Sequence, residues 1–409
     1  MERVVVVGGG VLGMMHALAA RRRGFEVVQL EREPAPRGAS VRNFGLIWVS
    51  GRAAGAELDL ALRARARWEE IAGEVPGTGF RASPSLTLAS DDAELSLLAE
   101  AAAQPDAAAR GYQLLGPDDC RAVNGALRGE FTGGLLGGRD AVVEPRLVPG
   151  ALRTYLAGGP APRYTWLPGR EAVALAPHAV RDHTGAWHRG DLVILCPGAA
   201  HTGIAGPHLA AGAHPPVRRV RLQMMQTAAF PARLTTSVAD GDSLRYYPAY
   251  DLPGRARLAP QPAVAAGARV QLLLVQRLDG GLTIGDTHEY AEPFAFDVDE
   301  DAYDHLRARA EALLGAGLPR VRRRWAGVYS MVSGPELYHV SAPAAGVVLV
   351  TGPGGRGMTC APAIAEETFT QAGEPLPSAG PPGAPAPGPS AVPAVPATAD
   401  AHAVPEDRA

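Results

Sequence analysis

The sequence predicts a mixed α/β fold: a Rossmann-type layer of parallel strands and helices joined to a second part built on an antiparallel sheet. Three stretches carry that prediction. Val4-Val5-Val6-Val7 runs into Gly8-Gly9-Gly10-Val11-Leu12-Gly13, then an alanine-rich run, then Glu26-Val27-Val28-Gln29-Leu30-Glu31. Gly346-Val347-Val348-Leu349-Val350 runs into a second glycine-rich turn, Thr351 to Thr359. Between them, Val217 to Asp286 alternates as long antiparallel strands do.

The N-terminal stretch is a dinucleotide fingerprint in its full strand–turn–helix–strand context. Gly8 makes the turn, Gly10 lets the backbone approach a pyrophosphate, and Gly13 lets the helix pack close to the strand. Val11 and Leu12 open the helix, whose free N–H groups and partial positive charge suit phosphates. Glu31 follows Gly13 by eighteen residues, where a carboxylate can accept hydrogen bonds from a ribose diol, and Arg32 stands beside it.

Later elements follow from periodicity. Glu57 to Ile71 reads as an amphipathic helix, Phe80 to Ala89 as a strand, and Asp92 to Ala103 as a helix. A strand-rich stretch from Arg163 to Leu195 ends in a hydrophobic strand and the small-residue turn Pro197-Gly198-Ala199, as a central strand ending near a cofactor would. Asp299 to Leu314 is a helix. The second turn carries Gly352, Gly354, Gly355, Gly357, Met358 and Thr359 and precedes a helix expected from Ala361. The two turns lie about 345 residues apart, and both are expected to face one cofactor. A helix N-terminus at the second could stabilise negative charge on a reduced flavin. The expected organisation is a discontinuous nucleotide-binding domain (1–80, 141–212 and 320–372), a substrate domain (81–140 and 213–319), and a disordered Ala/Pro-rich tail (373–409).

Composition narrows the function. Apolar residues make up 46% of 409, enough for sizeable cores, and the net charge of −3 points to neither nucleic acid nor an anionic membrane. No apolar run approaches a membrane span, and the first residues enter a core strand rather than a signal peptide, so a cytoplasmic protein is expected. Cys120, Cys196 and Cys360 are far apart, which argues against a disulfide framework or a metal site. All 39 basic residues in the Lys+Arg total are Arg. Without lysine there is no Schiff base, hence no ordinary pyridoxal-phosphate chemistry, and no lysine cation beside a flavin.

Taken together, these features resemble the FAD-dependent glycine/D-amino-acid oxidase (DAO) superfamily over nearly all of residues 1 to 372. Several segments are similar to one clade associated with phosphonate catabolism: Gly38-Ala39-Ser40-Val41-Arg42-Asn43-Phe44-Gly45-Leu46-Ile47-Trp48, Leu222-Gln223-Met224-Met225, Leu244-Arg245-Tyr246-Tyr247, Ile284-Gly285-Asp286-Thr287-His288-Glu289-Tyr290 and Arg324-Trp325-Ala326-Gly327-Val328-Tyr329. The resemblance implies a glutathione-reductase-like fold of the DAO type. It implies that Ser40, Arg42, Asn43 and Gly45 wrap the flavin and pyrophosphate, with Val173 and Gly198 among the cofactor contacts. Sarcosine oxidases attach flavin through a cysteine near Trp325; none lies there, so FAD is expected to be held non-covalently. The carboxylate-clamp arginine usual after the tryptophan-glycine segment is also missing from Trp325-Ala326-Gly327-Val328-Tyr329-Ser330.

The implied substrate is a small amine with an anionic group, an aminophosphonate related to 2-aminoethylphosphonate, with oxygen or another electron acceptor. The alternatives are a sarcosine-, glycine- or D-amino-acid-type oxidase, or a non-catalytic dinucleotide-binding protein. Anion binding would fall to Arg245, read as lying in a strand, or to Arg324, with Tyr247 nearby. His288, Tyr246 and Tyr329 are the candidate catalytic residues. Each has a plainer alternative: Arg245 on a sheet surface, Arg324 on the solvated face of an arginine run, His288 as a satisfied loop histidine.

Overall fold

The structure is a computed structural model that describes residues 1–159, 163–210 and 216–371. The expected tail at 373–409 lies outside the described residues.

Two large sheets organise the chain. The first has six strands in the order His339–Ala344, Val347–Thr351, Leu192–Leu195, Arg3–Val7, Glu26–Glu31, Tyr164–Pro168. Every neighbouring pair is parallel except the first. Its runs of valine and leucine are apolar on both faces because both faces are covered. Val4 and Val6 point into a core shared with the helices Val11–Arg22, Ala56–Glu74, Val148–Gly158 and Gly357–Gln371. Val5, between them, points the other way and packs with Val193, Leu195, Val347 and Val180. Val180 belongs to a small three-stranded antiparallel sheet, Ala172–Ala176, Ala179–Asp182 and Trp187–Arg189.

The second sheet has eight strands in the order Val321–Val332, Val217–Ala229, Gly281–Gly285, Leu273–Gln276, Ser237–Ala239, Ser85–Ala89, Gly133–Gly137, Tyr112–Leu115. It is antiparallel except where Ser237–Ala239 runs parallel to Ser85–Ala89. Alternation along Val217–Ala229 sorts its side chains: Val220, Leu222 and Met224 face one core, while Met225 faces another that includes Tyr303 and Leu306 of the helix Glu300–Leu314.

Four local expectations change. Val321–Val332, placed in the nucleotide-binding part, pairs along its length with Val217–Ala229 in the eight-stranded sheet. Phe80 to Ala89 is strand only over Ser85–Ala89. The stretch around Arg245 is the short helix Gly241–Tyr246, started by Asp240, whose carboxylate accepts the Asp242 N–H. The last helix begins at Gly357, four residues before Ala361, and has Pro362 inside it. Proline has no N–H to give to the carbonyl four residues back. That carbonyl, of Met358, accepts instead from the indole Nε1 of Trp68 at 3.0 Å. Trp68→Phe should therefore leave a buried carbonyl with a poorer set of partners and lower stability by about 1–3 kcal/mol, measured as a drop in the midpoint of denaturant unfolding at unchanged slope.

Candidate active site

The strand ends Val7, Leu195 and Thr351 stop side by side in the six-stranded sheet, and the turns that follow open onto one cavity of about 940 Å³. Ligands of open α/β sheets bind at this carboxyl edge. Gly8 has φ +109°, and an added Cβ there would lie 2.4 Å from the Cys196 carbonyl oxygen. The helix Val11–Arg22 points its N-terminus at the cavity; its first N–H, from Val11, donates to Ser40 Oγ at 2.8 Å. Glu31 lines the same wall, with one carboxylate oxygen accepting the Gly9 N–H at 2.7 Å. The second glycine turn meets the first here, through Gly354, Gly355, Gly357 and Met358.

Of the expected nucleotide-site residues, Gly8, Gly10, Val11, Leu12, Gly13, Glu31, Arg32, Ser40, Arg42, Asn43 and Gly198 line this cavity with those four. Asn43 lines it with its amide already used: Nδ2 donates to the Ala39 and Ser40 carbonyls, and Oδ1 accepts the Gly45 N–H. It shapes the loop. Four others stand outside the wall. Gly45, at φ +69°, is needed because a Cβ would meet the Val143 carbonyl at 2.2 Å. Gly352 packs against Val332. Thr359 is buried, accepting the Trp48 N–H and facing the Leu46 carbonyl. Val173 is exposed, and Arg170, Glu171 and Ala172 line the cavity in its place.

The far end of the cavity is formed by Tyr246, Tyr247, Gln271, Asp286, His288 and Tyr329, with Leu222, Met224 and Leu273 from the eight-stranded sheet. His288 stacks on Tyr246 with ring centroids 4.2 Å apart, and its Nδ1 faces the Arg269 carbonyl at 3.1 Å. Burial pulls the His288 pKa down to about 4, so the ring is neutral at neutral pH. Burial also raises the phenol pKa values of Tyr246, Tyr247 and Tyr329, so these hydroxyls stay protonated. Asp286 is pushed up to about 7 by burial, against the opposing pull of a hydrogen bond from Gln271 Nε2 at 2.8 Å.

The two expected anion-binding arginines are not at this end. Arg245 is turned away and held by the Gly241 carbonyl at 2.6 Å, the Ala259 carbonyl at 2.5 Å and Glu94 at 3.4 Å. Arg324 is exposed, paired with Glu300 at 3.0 Å and lying over the Tyr303 ring. Among the arginines that line the cavity, the buried one is Arg52, 6% exposed. Its Nε donates to the Trp48 carbonyl at 2.8 Å, and the Trp48 ring packs on Tyr247 at 5.3 Å between centroids. Arg52 and Arg356 share one carboxylate, Glu57, at 3.5 and 3.3 Å. Two cations on one anion leave a surplus positive charge beside the N-terminus of Gly357–Gln371, which is where an anion would be stabilised.

Sequence reasoning missed Arg52, Gln271 and Asp286. Asp286 stands two residues before His288 in a segment already singled out, so its signal was present. Arg52 and Gln271 sit in no motif; Gln271 arrives because its backbone N–H and carbonyl pair with those of Asp286.

The sequence model of the FAD dependent oxidoreductase (DAO) family matches residues 3–370. The chain belongs to this family. DAO-family proteins use FAD, and the cavity fits that cofactor: two glycine turns, a helix N-terminus and Glu31 converge on one elongated space. Among solved structures, the fold is shared with glycine oxidase from Geobacillus kaustophilus (TM-score 0.69, 18% identity, 91% of this chain and 95% of that one). It is shared with L-proline dehydrogenase from P. horikoshii (0.71, 17%, 90% and 92%). Iminodiacetate oxidase from Chelativorans sp. BNC1 is similar as well (0.70, 18%, 93% and 97%). No curated protein matches the chain at a significant level. Among the described residues, no helix is long and apolar enough to cross a membrane.

In this DAO-family flavoenzyme, Gly10→Ala should separate cofactor binding from folding. The new Cβ would meet only Ser40 Oγ at 3.0 Å, a side chain that can rotate, so the fold should survive. The methyl group would stand in the path of the pyrophosphate. The expected product is a folded protein without flavin absorbance; a variant that purifies fully yellow would contradict the assignment.

Proposed function

We propose that this flavoenzyme oxidises a small amine carrying an anionic group, an aminophosphonate related to 2-aminoethylphosphonate, with FAD held non-covalently. The observation that carries this reading is Arg52, a buried guanidinium in the cavity wall of a chain with no lysine, next to the Trp48–Tyr247 pair. A guanidinium suits a phosphonate through paired hydrogen bonds. The six-stranded layer would hold the cofactor, and the face of the eight-stranded sheet with Leu222, Met224 and Tyr329 would cover the substrate. Cys196, the cysteine in the cavity wall, follows the strand Leu192–Leu195 at the nucleotide end, away from the tyrosines, which favours a non-covalent cofactor.

FAD, when bound, accepts the hydride. The residues of the chain supply placement: Arg52 for the anion, and the hydroxyls of Tyr246, Tyr247 and Tyr329 as hydrogen-bond donors around the nitrogen-bearing carbon. The test is an anaerobic titration of the holoenzyme, followed by flavin bleaching, with 2-aminoethylphosphonate, its N-methyl and 1-hydroxy derivatives, sarcosine and glycine. Bleaching by a phosphonate alone is the expected result. Bleaching by sarcosine or glycine alone would overturn the phosphonate assignment and make this an amino-acid oxidase.

A further inference from the structure

The tyrosine-lined end of the cavity holds one carboxyl group, and its two oxygens are not equivalent. Asp286 is 4% exposed and lines the cavity. Oδ1 accepts from Gln271 Nε2 at 2.8 Å. Oδ2 makes no hydrogen bond among the described residues, and no arginine or histidine forms an ion pair with this carboxyl group. The backbone on either side is fixed, with Asp286 N–H to Gln271 O at 2.7 Å and Gln271 N–H to Asp286 O at 3.0 Å. A carboxyl group with one oxygen anchored and the other free, buried in the wall of a pocket, has the geometry of a proton acceptor for a ligand.

We propose that Asp286 is the base that takes the ammonium proton of the bound amine. This rests on the reading that the protein oxidises an amine. At neutral pH an aliphatic amine arrives as a cation, and a cation has no nitrogen lone pair to assist loss of the neighbouring C–H as hydride. In the assigned step the N–H bond of the ammonium breaks and its electron pair stays on nitrogen. An O–H bond forms at Asp286 Oδ2. The lone pair then supports departure of the hydride to FAD, leaving an iminium that water hydrolyses. The proton on Asp286 returns to solvent when the product leaves.

The surroundings agree with that role. The groups facing Asp286 are Gln271, the hydroxyls of Tyr246 and Tyr247 from the segment after Asp240, Tyr329 from Val321–Val332, and His288 and Tyr290 from its own segment. The phenols are protonated and His288 is neutral, so none competes as a strong base. The cations closest to this group of residues are Arg52, engaged with the Trp48 carbonyl, and Arg218 and Arg269, both lying over the Tyr290 ring. Burial, opposed by the Gln271 hydrogen bond, sets the carboxyl to titrate at about 7, between a resting base and a usable acid.

The sign of the pH dependence follows. Asp286 must be ionised to accept a proton, so kcat/KM should rise through an acid limb near 7. In Asp286→Asn that limb should disappear. At pH 7.5 kcat/KM should fall by about 10²–10³-fold, then climb tenfold per pH unit as the free amine in solution deprotonates. Asp286→Glu should restore a limb.

A second readout does not need turnover. Calorimetry in buffers of different ionisation heat counts protons exchanged when the oxidised holoenzyme binds (2-amino-2-methylpropyl)phosphonate, an amine with no C–H beside nitrogen. Wild type should release about one proton per ligand at pH 6, where Asp286 is already protonated, and about none at pH 8.5, where it takes the proton itself. Asp286→Asn should give the same count at both values. Gln271→Leu, which removes the bond holding Oδ1, should move the acid limb upward by about one pH unit. An Asp286→Asn enzyme that keeps its acid limb, or a wild-type proton count that does not change with pH, would overturn the proposal. If no amine bleaches the wild-type flavin, the amine reading itself fails instead.

Discussion

Gly13→Ala should purify without flavin and with its melting temperature lowered by roughly 10 °C. An added Cβ at Gly13 would lie 1.9 Å from the carbonyl oxygen of Gly8 and 3.3 Å from Gln29 Nε2. The first of these is backbone, so no rotamer change relieves it, and the helix Val11–Arg22 must move away from the turn. That helix packs against the last helix, Gly357–Gln371, and against Arg3–Val7 and Glu26–Glu31. Displacement would open the most buried layer of the protein, at a cost of about 4–5 kcal/mol, the range of a severe backbone conflict. The Gly8 carbonyl also accepts from Gln29 Nε2 at 2.8 Å, a part-buried contact that the same shift would break. The contrast with Gly10→Ala makes the prediction specific. One glycine is required by the protein's own backbone, the other by the group that lies against it. Scanning calorimetry and visible absorbance on the two variants distinguish these cases; equal melting temperatures would refute the packing argument for Gly13.

Arg52→Met should raise the apparent KM for an anionic amine by about 10²-fold, with the effect on a neutral amine staying within about 3-fold. Methionine keeps most of the volume and removes the charge. Glu57 keeps its second partner, Arg356 at 3.3 Å, so the substitution does not strand a buried carboxylate. What disappears is the surplus positive charge of the Arg52–Glu57–Arg356 cluster. Arg52 also donates to the Trp48 carbonyl, so some loss of stability is expected for either substrate. The ratio of the two KM changes cancels that shared part. Equal changes would remove Arg52 from substrate binding and leave it as a support for the Trp48 loop.

The nucleotide end of the cavity was legible in the sequence because its chemistry is local. A strand, a glycine turn and a helix N-terminus are written within ten residues, and the second glycine turn repeats the pattern. The substrate end was not, because its residues come from separated segments whose backbone pairing brings them together. Arg245 shows the difficulty. Leu244-Arg245-Tyr246-Tyr247 reads as a strand edge, but Asp240 caps a helical turn there, and a side chain in the last turn of a helix can reach the carbonyl four residues back. Arg245 does so at Gly241. Arg324 was the solvated member of an arginine run, as the plainer alternative had it. Asp286 and Gln271 are brought face to face just beyond the antiparallel pairing of Leu273–Gln276 with Gly281–Gly285, one residue after Gly285 and two before Leu273, so the register shifts by one residue there. A fingerprint of contiguous residues cannot carry that register.

The cavity is closed by residues made at opposite times. Gly354 to Met358 are synthesised about 345 residues after its first glycine turn. The strand Arg3–Val7 sits mid-sheet, yet its neighbour Leu192–Leu195 and the strand beyond that, Val347–Thr351, are made far later. At about 5–20 residues per second, a nascent chain would carry half a nucleotide cradle for roughly 20–70 seconds before the other half emerges. Loading of the flavin therefore waits for the second turn, and the supply of free FAD from that point on, rather than earlier in elongation, sets how much of the enzyme becomes active.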